Sequence, residues 1–130
     1  MSLHLSFSLV PPSSLSTNNR SSRHWRNRAA DTGPVREYAT LCCRGYPPMA
    51  EPVAIAVHVT WPTSRIMPDV DSIGSYAKPY LDGIVDAGVL SDDGPKVVKR
   101  ATFSQAKQVG KDGVTGVEFD LTTITEGITP

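Results

Sequence analysis

Only two cysteines occur in the 130 residues, and they are neighbours, Cys42 and Cys43. Adjacent thiols do not close an ordinary disulfide with each other and lack zinc-ligand spacing, which excludes a secretory disulfide framework and points to a reducing cytoplasm. Both read as small residues on or near a buried helix face. No apolar run approaches the length of a membrane span, so no membrane partner is expected. The opening MSLHLSFSLV has neither a basic start nor a continuous apolar stretch, which argues against a targeting segment. Net charge is lacking too: 13 Lys and Arg balance 13 Asp and Glu. A neutral chain is a poor candidate for coating nucleic acid by bulk charge.

The charge that is present is segregated. Residues 1–50 hold six arginines and two acids, residues 51–95 seven acids and two bases, and residues 96–130 five bases and four acids, nets of +4, −5 and +1. A basic arm joined to an acidic middle fits a protein that holds a polyanion with one part and a cation with another. Charge scattered over a solvated surface fits the same counts.

Alternation marks two strands. Leu3, Leu5, Phe7 and Leu9 fall on one side of residues 3–10, with His4, Ser6 and Ser8 on the other, which is strand periodicity. Val53, Ile55, Val57, Val59 and Trp61 alternate with Ala54, Ala56, His58 and Thr60, predicting a strand over 53–61 in which His58 has no catalytic role. Residues 11–33 open with Pro11-Pro12 and show no periodicity, predicting a long basic loop. Pro34 suits the first position of a helix over about 34–44, with Asp31 or Thr32 near the cap and Val35, Tyr38, Leu41 and Cys42 on its apolar side. Leu81, Ile84, Val85, Gly88 and Val89 keep helical spacing, with Asp82 and Asp86 on the wet side and Gly88 as the expected stop. Pro79 leaves two versions open, a helix of about 77–88 with the proline in its first turn or a kinked 72–88. KVVKRATFS and GVEFDLTTIT predict two further strands, and the intervening GKDG carries hairpin turn chemistry. The order β-loop-α-β-α-β-β predicts one α+β domain over 1–130, a small mixed or mostly antiparallel sheet packed with two helices.

Two groups of residues carry chemistry. Asp69 and Asp71 stand one residue apart, so in extended chain both carboxylates share a face. Carboxylates held that close repel unless a cation lies between them, and Mg²⁺ takes a few carboxylates plus water and phosphate oxygens. Asp92 and Asp93 return as further oxygen donors, and Lys78 adds a nearby cation. Metal, carboxylates and lysine together suit phosphodiester hydrolysis, while D-x-D in a loop and DD after a helix are also ordinary polar sequence. An EF-hand reading fails, since its fifth and twelfth positions would be Ile73 and Tyr80, neither a calcium ligand. The second group is TNNRSSRHWRNR, 17–28, with four arginines, one histidine and one tryptophan. Arginines grip phosphates in a forked geometry and Trp stacks on a base or sugar.

Together these segments resemble the RusA family of Holliday-junction resolvases, especially its phage and prophage members. The family signature is D-x-D-N, a lysine, a helix of the type D-G-L-V-x-A-G-V-L, then D-D. Here the chain reads Asp69-Val70-Asp71-Ser72, Lys78, Asp82-Gly83-Ile84-Val85-Asp86-Ala87-Gly88-Val89-Leu90 and Asp92-Asp93. The N-terminal pattern of the family, a strand ending in P-P followed by N-x-R and a basic cluster, is matched by Val10-Pro11-Pro12, Asn18-Asn19-Arg20 and Arg23-His24-Trp25-Arg26. The closing strand matches at 119–124, so the likeness spans nearly the whole chain. Ser72 replaces the signature Asn, and the step from Asp71 to Lys78 is longer than in compact bacterial members.

The resemblance implies a RusA-like homodimer with Mg²⁺, or Mn²⁺ in its place. Its activity would be an endodeoxyribonuclease that resolves four-way junctions by paired phosphodiester hydrolysis in recombination and repair. The setting would be the cytoplasm of a bacterial or phage-infected host cell. It also implies that Asp69, Asp71 and Asp93 are the essential metal-binding carboxylates, that Asp92 assists, and that Lys78 is the catalytic lysine. The DNA contacts would be Asn19, Arg20, Arg23, His24, Trp25, Arg26 and Arg28. A two-fold junction suits a two-fold dimer presenting two active sites. The alternatives are a non-catalytic DNA-binding module of the same fold and a structural domain whose acids are surface residues.

Overall fold

The structure, a computed structural model, describes residues 1–12 and 22–125, with residues 22–31 described as backbone only. Strand β1 (Ser2–Phe7) is followed by helix α1 (Ser22–Cys43), strand β2 (Val53–Trp61), a 3-10 turn (Val70–Ser72), helix α2 (Ile73–Asp86), strand β3 (Val98–Lys107) and strand β4 (Gly116–Thr123). The four strands form one mixed sheet in the order β1-β4-β2-β3, with β4 antiparallel to both neighbours and β2 parallel to β3. An α+β domain with a small mixed sheet and two helices is therefore what the periodicities predicted.

Strand β2 forms as its alternation requires. Val53, Ile55, Val57, Val59 and Trp61 are all buried, while Ala54, Ala56, His58 and Thr60 between them are half-buried. Register carries the pattern across the sheet: Val57 lies opposite Phe119 and Phe119 opposite Leu5, while Val59 lies opposite Val117 and Val117 opposite Phe7. The buried side meets Val35, Ala39 and Cys43 of α1 and Ile73, Tyr76, Ala77, Tyr80 and Ile84 of α2 in one core. The other side carries His4, Ser6, Ala54, Ala56, His58, Thr60, Glu118, Asp120 and Thr122, all half-buried or exposed. On it His4 Nδ1 lies 2.6 Å from Asp120 Oδ1, and His58 Nδ1 lies 2.8 Å from Ser104 Oγ.

Three expectations are corrected. GKDG does not close a hairpin, because β3 and β4 are not neighbours; β2 lies between them. Turn residues permit a reversal but do not choose the strand's partner, and here β4 buries more by inserting its apolar face between β1 and β2. The loop expected over 11–33 is helical from Ser22, so α1 runs through Pro34 instead of starting there. The proline ring fixes φ at a helical value and removes one N–H, which costs a hydrogen bond without forbidding the turn. Asp31 and Thr32 then lie inside the helix. The buried side of α1 is Val35, Ala39 and Cys43, with Tyr38 half-buried and Leu41 and Cys42 exposed. Burial pushes the Cys43 thiol up to about 11. For α2 the longer version holds, with Pro79 inside the helix.

The two helices touch where side chains are smallest. A methyl group built on Gly83 would lie 2.5 Å from Ala39 Cβ and 2.6 Å from the Arg36 carbonyl oxygen. Alongside, Arg36 donates from Nε and Nη2 to the two carboxylate oxygens of Asp86, at 2.5 and 2.9 Å. The contact predicts that Gly83→Ala, although it raises helix propensity, lowers stability by about 1–3 kcal/mol through overpacking. Urea denaturation checks this; a stability equal to or above wild type would show that the helices separate freely.

Candidate active site

The chain leaving β2 is held just before its acidic segment. The Trp61 indole N–H donates to Gln105 Oε1 at 2.9 Å, and Gln105 Nε2 donates to the Pro68 carbonyl at 2.6 Å. Arg65 lies 4.7 Å from the centre of the Trp61 ring and donates to the Pro11 carbonyl at 2.7 Å. A guanidinium over an aromatic face is favourable and ties this loop to the end of the N-terminal segment. Asp69 follows directly as the extended N-cap of the 3-10 turn, with no side-chain cap bond. Asp71 lies within that turn, and both side chains are exposed. Ser72 is buried.

The second acidic pair is placed by the end of α2. Gly88 has φ +86, a left-handed conformation that glycine adopts without penalty. The Gly88 N–H donates to the Val85 carbonyl and the Val89 N–H to the Ile84 carbonyl, at 2.9 and 3.3 Å. This is the Schellman pattern, which ends a helix and turns the chain back. Gly88 is thus the stop its position predicted. The returning chain is fastened by the Met49 N–H to the Val89 carbonyl at 2.9 Å. Ser91 adds two bonds to the Glu51 carboxylate, from N–H and hydroxyl, both at 2.8 Å.

Lys78 joins the two parts. Its ammonium donates to Asp82 Oδ1 at 2.9 Å, one helical turn away, and also to Asp93 Oδ2. Asp93 is the more sheltered partner, with 27% of its side chain exposed against 55% for Lys78. The Lys78 hydrogen bond holds the Asp93 carboxyl below its ordinary range, against the opposing effect of burial, with Asp92 adding a further hydrogen bond. Burial works against the Lys78 charge, but the bonds to Asp93 and Asp82 outweigh it and raise its pKa. Within α2, Ser75, Lys78 and Asp82 follow one another at spacings of three and four, so they share a helix face, while Asp71 lies in the 3-10 turn before it.

Of the residues expected at the site, Lys78, Asp93 and Asp92 come together, while Asp69 and Asp71 lie at and within the 3-10 turn that precedes α2. Among the described residues, no three His, Cys, Asp or Glu side chains form a group able to hold a metal ion. The oxygen donors are of the type Mg²⁺ takes, but as arranged they do not fit a metal: Asp93 is bonded to an ammonium and no second and third carboxylate close around it. Asn19 and Arg20 lie outside the described residues. Arg23, His24, Trp25, Arg26 and Arg28 lie in the first turns of α1 instead of in a loop, with backbone alone described.

Two acids read as wet helix side have partners. Asp82 shares Lys78, and Asp86 binds Arg36. The Lys78–Asp82 spacing of four was a visible sign of the first; Arg36–Asp86 joins two helices and leaves no local signature. Gln105, which orients the loop before Asp69, was equally invisible.

The Lys78–Asp93 pair predicts a pH window. Asp93 is depressed on folding, so its contribution is complete above its ordinary 3.8 and is lost as pH falls through the lower folded value. Lys78 is raised, so its contribution is complete below its ordinary 10.5 and is lost as pH rises through the higher folded value. Wild type should exceed Lys78→Met in stability between these limits, with the difference fading as pH falls through the lowered value of Asp93. Urea denaturation of both proteins across that range checks the sign.

Compared with protein-family models and with curated proteins, the chain matches none.

Proposed function

We propose that this protein is a divalent-cation-dependent endodeoxyribonuclease that resolves four-way DNA junctions as a homodimer. The carrying observation is the Lys78 ammonium bonded to Asp93 and Asp82, on the helix that follows the turn carrying Asp71. A positive charge among carboxylates, in a chain with a basic N-terminal segment, suits a phosphodiester: the arginines take the backbone, and the lysine faces charge on a transferring phosphate. In this reading Asp69, Asp71 and Asp93 are the essential carboxylates, Asp92 assists, and Mg²⁺ or Mn²⁺ is required. Asn19, Arg20, Arg23, His24, Trp25, Arg26 and Arg28 grip the junction.

One observation favours a second reading, a DNA-binding module without cleavage: Asp93 is bonded to Lys78, and among the described residues no three acids are gathered. Nicking of a synthetic four-way junction with Mg²⁺ separates the two. Under the first, wild type makes paired cuts, and Asp69→Asn, Asp71→Asn and Asp93→Asn each lose at least roughly a hundredfold in rate while still binding. Wild-type binding without cleavage selects the second, and neither binding nor cleavage rejects both. In either, Arg23→Ala and Arg26→Ala weaken binding to all sequences and each lower the salt slope by about one.

A further inference from the structure

One row of the sheet ends outside the core. Leu5, Phe119 and Val57 lie opposite one another across β1, β4 and β2, and Phe103 of β3 is the fourth member of that row. The first three are buried, whereas Phe103 is 37% exposed. Among the described residues β3 pairs with β2 alone, so its outer edge is open over Val98–Lys107. Around the exposed ring the chain is basic. Residues 96–111 hold five bases and no acid, and Lys96, Lys99, Arg100, Lys107 and Lys111 are all exposed.

We infer that the open edge of β3 binds an unpaired stretch of DNA strand, with a base stacked on Phe103 and the neighbouring phosphates on Lys99 and Lys107. The inference rests on the DNA-binding part of the reading above and involves no metal ion. Single-stranded DNA is held by two elements together, an aromatic face for a base and a basic track for its backbone. Lys99 and Lys107 stand four residues to either side of Phe103, each about 13 Å away along an extended strand. Phosphates on both sides of a stacked base therefore meet a cation.

The ring is supported from behind. A methyl group built on Gly74 would lie 3.5 Å from Phe103 Cζ, so the ring rests beside bare backbone at the start of α2. The bond from Gln105 to the Pro68 carbonyl ties the same strand to the loop before that helix. Asp69 and Asp71 precede Gly74 by five and three residues. Their charge repels phosphate, so the uncharged part of the strand, a base, belongs over Phe103. A protein strand suits this edge less well. An added strand is specified by pockets for alternate side chains, and Phe103 is the one apolar side chain larger than alanine between Lys99 and Lys107. Basic residues at an edge also deter strand pairing, an effect that needs no aromatic ring.

Fluorescence anisotropy of the intact chain with a labelled oligothymidylate, and with an abasic deoxyribose-phosphate oligomer of equal length, separates stacking from charge. Phe103→Leu should weaken oligothymidylate binding roughly five- to a hundredfold, the range of one lost stack, and leave the abasic oligomer unchanged. Phe103→Tyr, which keeps the ring, should bind as wild type does. Lys99→Gln and Lys107→Gln should weaken both ligands, each lowering the salt slope by about 0.7. Irradiation of wild type with an iodouracil-substituted strand should crosslink Phe103, which reads the contact without any variant. Equal oligothymidylate affinities of Phe103→Leu and wild type, or crosslinks confined to His24 and Trp25, overturn the inference. So does self-association of Lys99→Gln with unchanged DNA affinity, which leaves the lysines as guards of the edge. Polyglutamate that displaces oligothymidylate at equal concentration also overturns it and assigns the edge to an acidic peptide. Binding of a four-way junction without binding of oligothymidylate overturns the inference and keeps the DNA-binding reading; binding of neither overturns both.

Discussion

One-sided burial governs this molecule. Among the described residues one face of the four-stranded sheet is covered, by α1 and α2, so β1, β2 and β4 send their apolar side chains the same way, while β3 at the edge stays largely exposed. β2, with strands on both sides, meets the requirement along its whole length. Its register then fixes which residues of β4, and through β4 which of β1, join the core. The helices follow: Ala39 and Gly83 are small because two helices on one face of a narrow sheet must come close to each other to share it. The Arg36–Asp86 fork closes the outer side of that contact.

Legibility followed range. β2 was readable because alternation over nine residues is a local pattern with one physical cause. The stop of α2 was readable because a left-handed glycine is a local requirement. Strand partners were not. GKDG looks like a turn and β3 does precede β4, but the sheet order depends on which insertion buries most apolar surface, a property of distant residues together. The start of α1 failed for a related reason. Pro34 marks a helix beginning only where nothing helical precedes it, and the residues before it hold too little apolar pattern to declare themselves.

For the candidate site, residue types and spacings could be read from the sequence, but partners could not. Asp69, Asp71, Lys78, Asp92 and Asp93 could be named from type and spacing, since acids and a lysine around a helix are scarce enough to notice. The assignment of partners could not. Asp82 and Asp86 look equivalent in sequence, four residues apart on the polar side, but one neutralises a lysine and the other ties α2 to α1. Charge pairing depends on where distant segments come to rest: Asp93 arrives through the turn at Gly88, and Arg36 through the crossing at Gly83.

The sheet order also sets a timetable for folding. β4, the last strand along the chain, lies between the first two, so β1 has no partner in the sheet until more than a hundred further residues have been made. During synthesis the parallel pair β2 and β3, with the helix that links them and α1 packed on that helix, can assemble before β4. The apolar side of β1 must wait. Contacts so distant in sequence slow folding and prolong the exposure of sticky intermediates, so the emergence of residues 116–123 is the moment at which the sheet becomes whole.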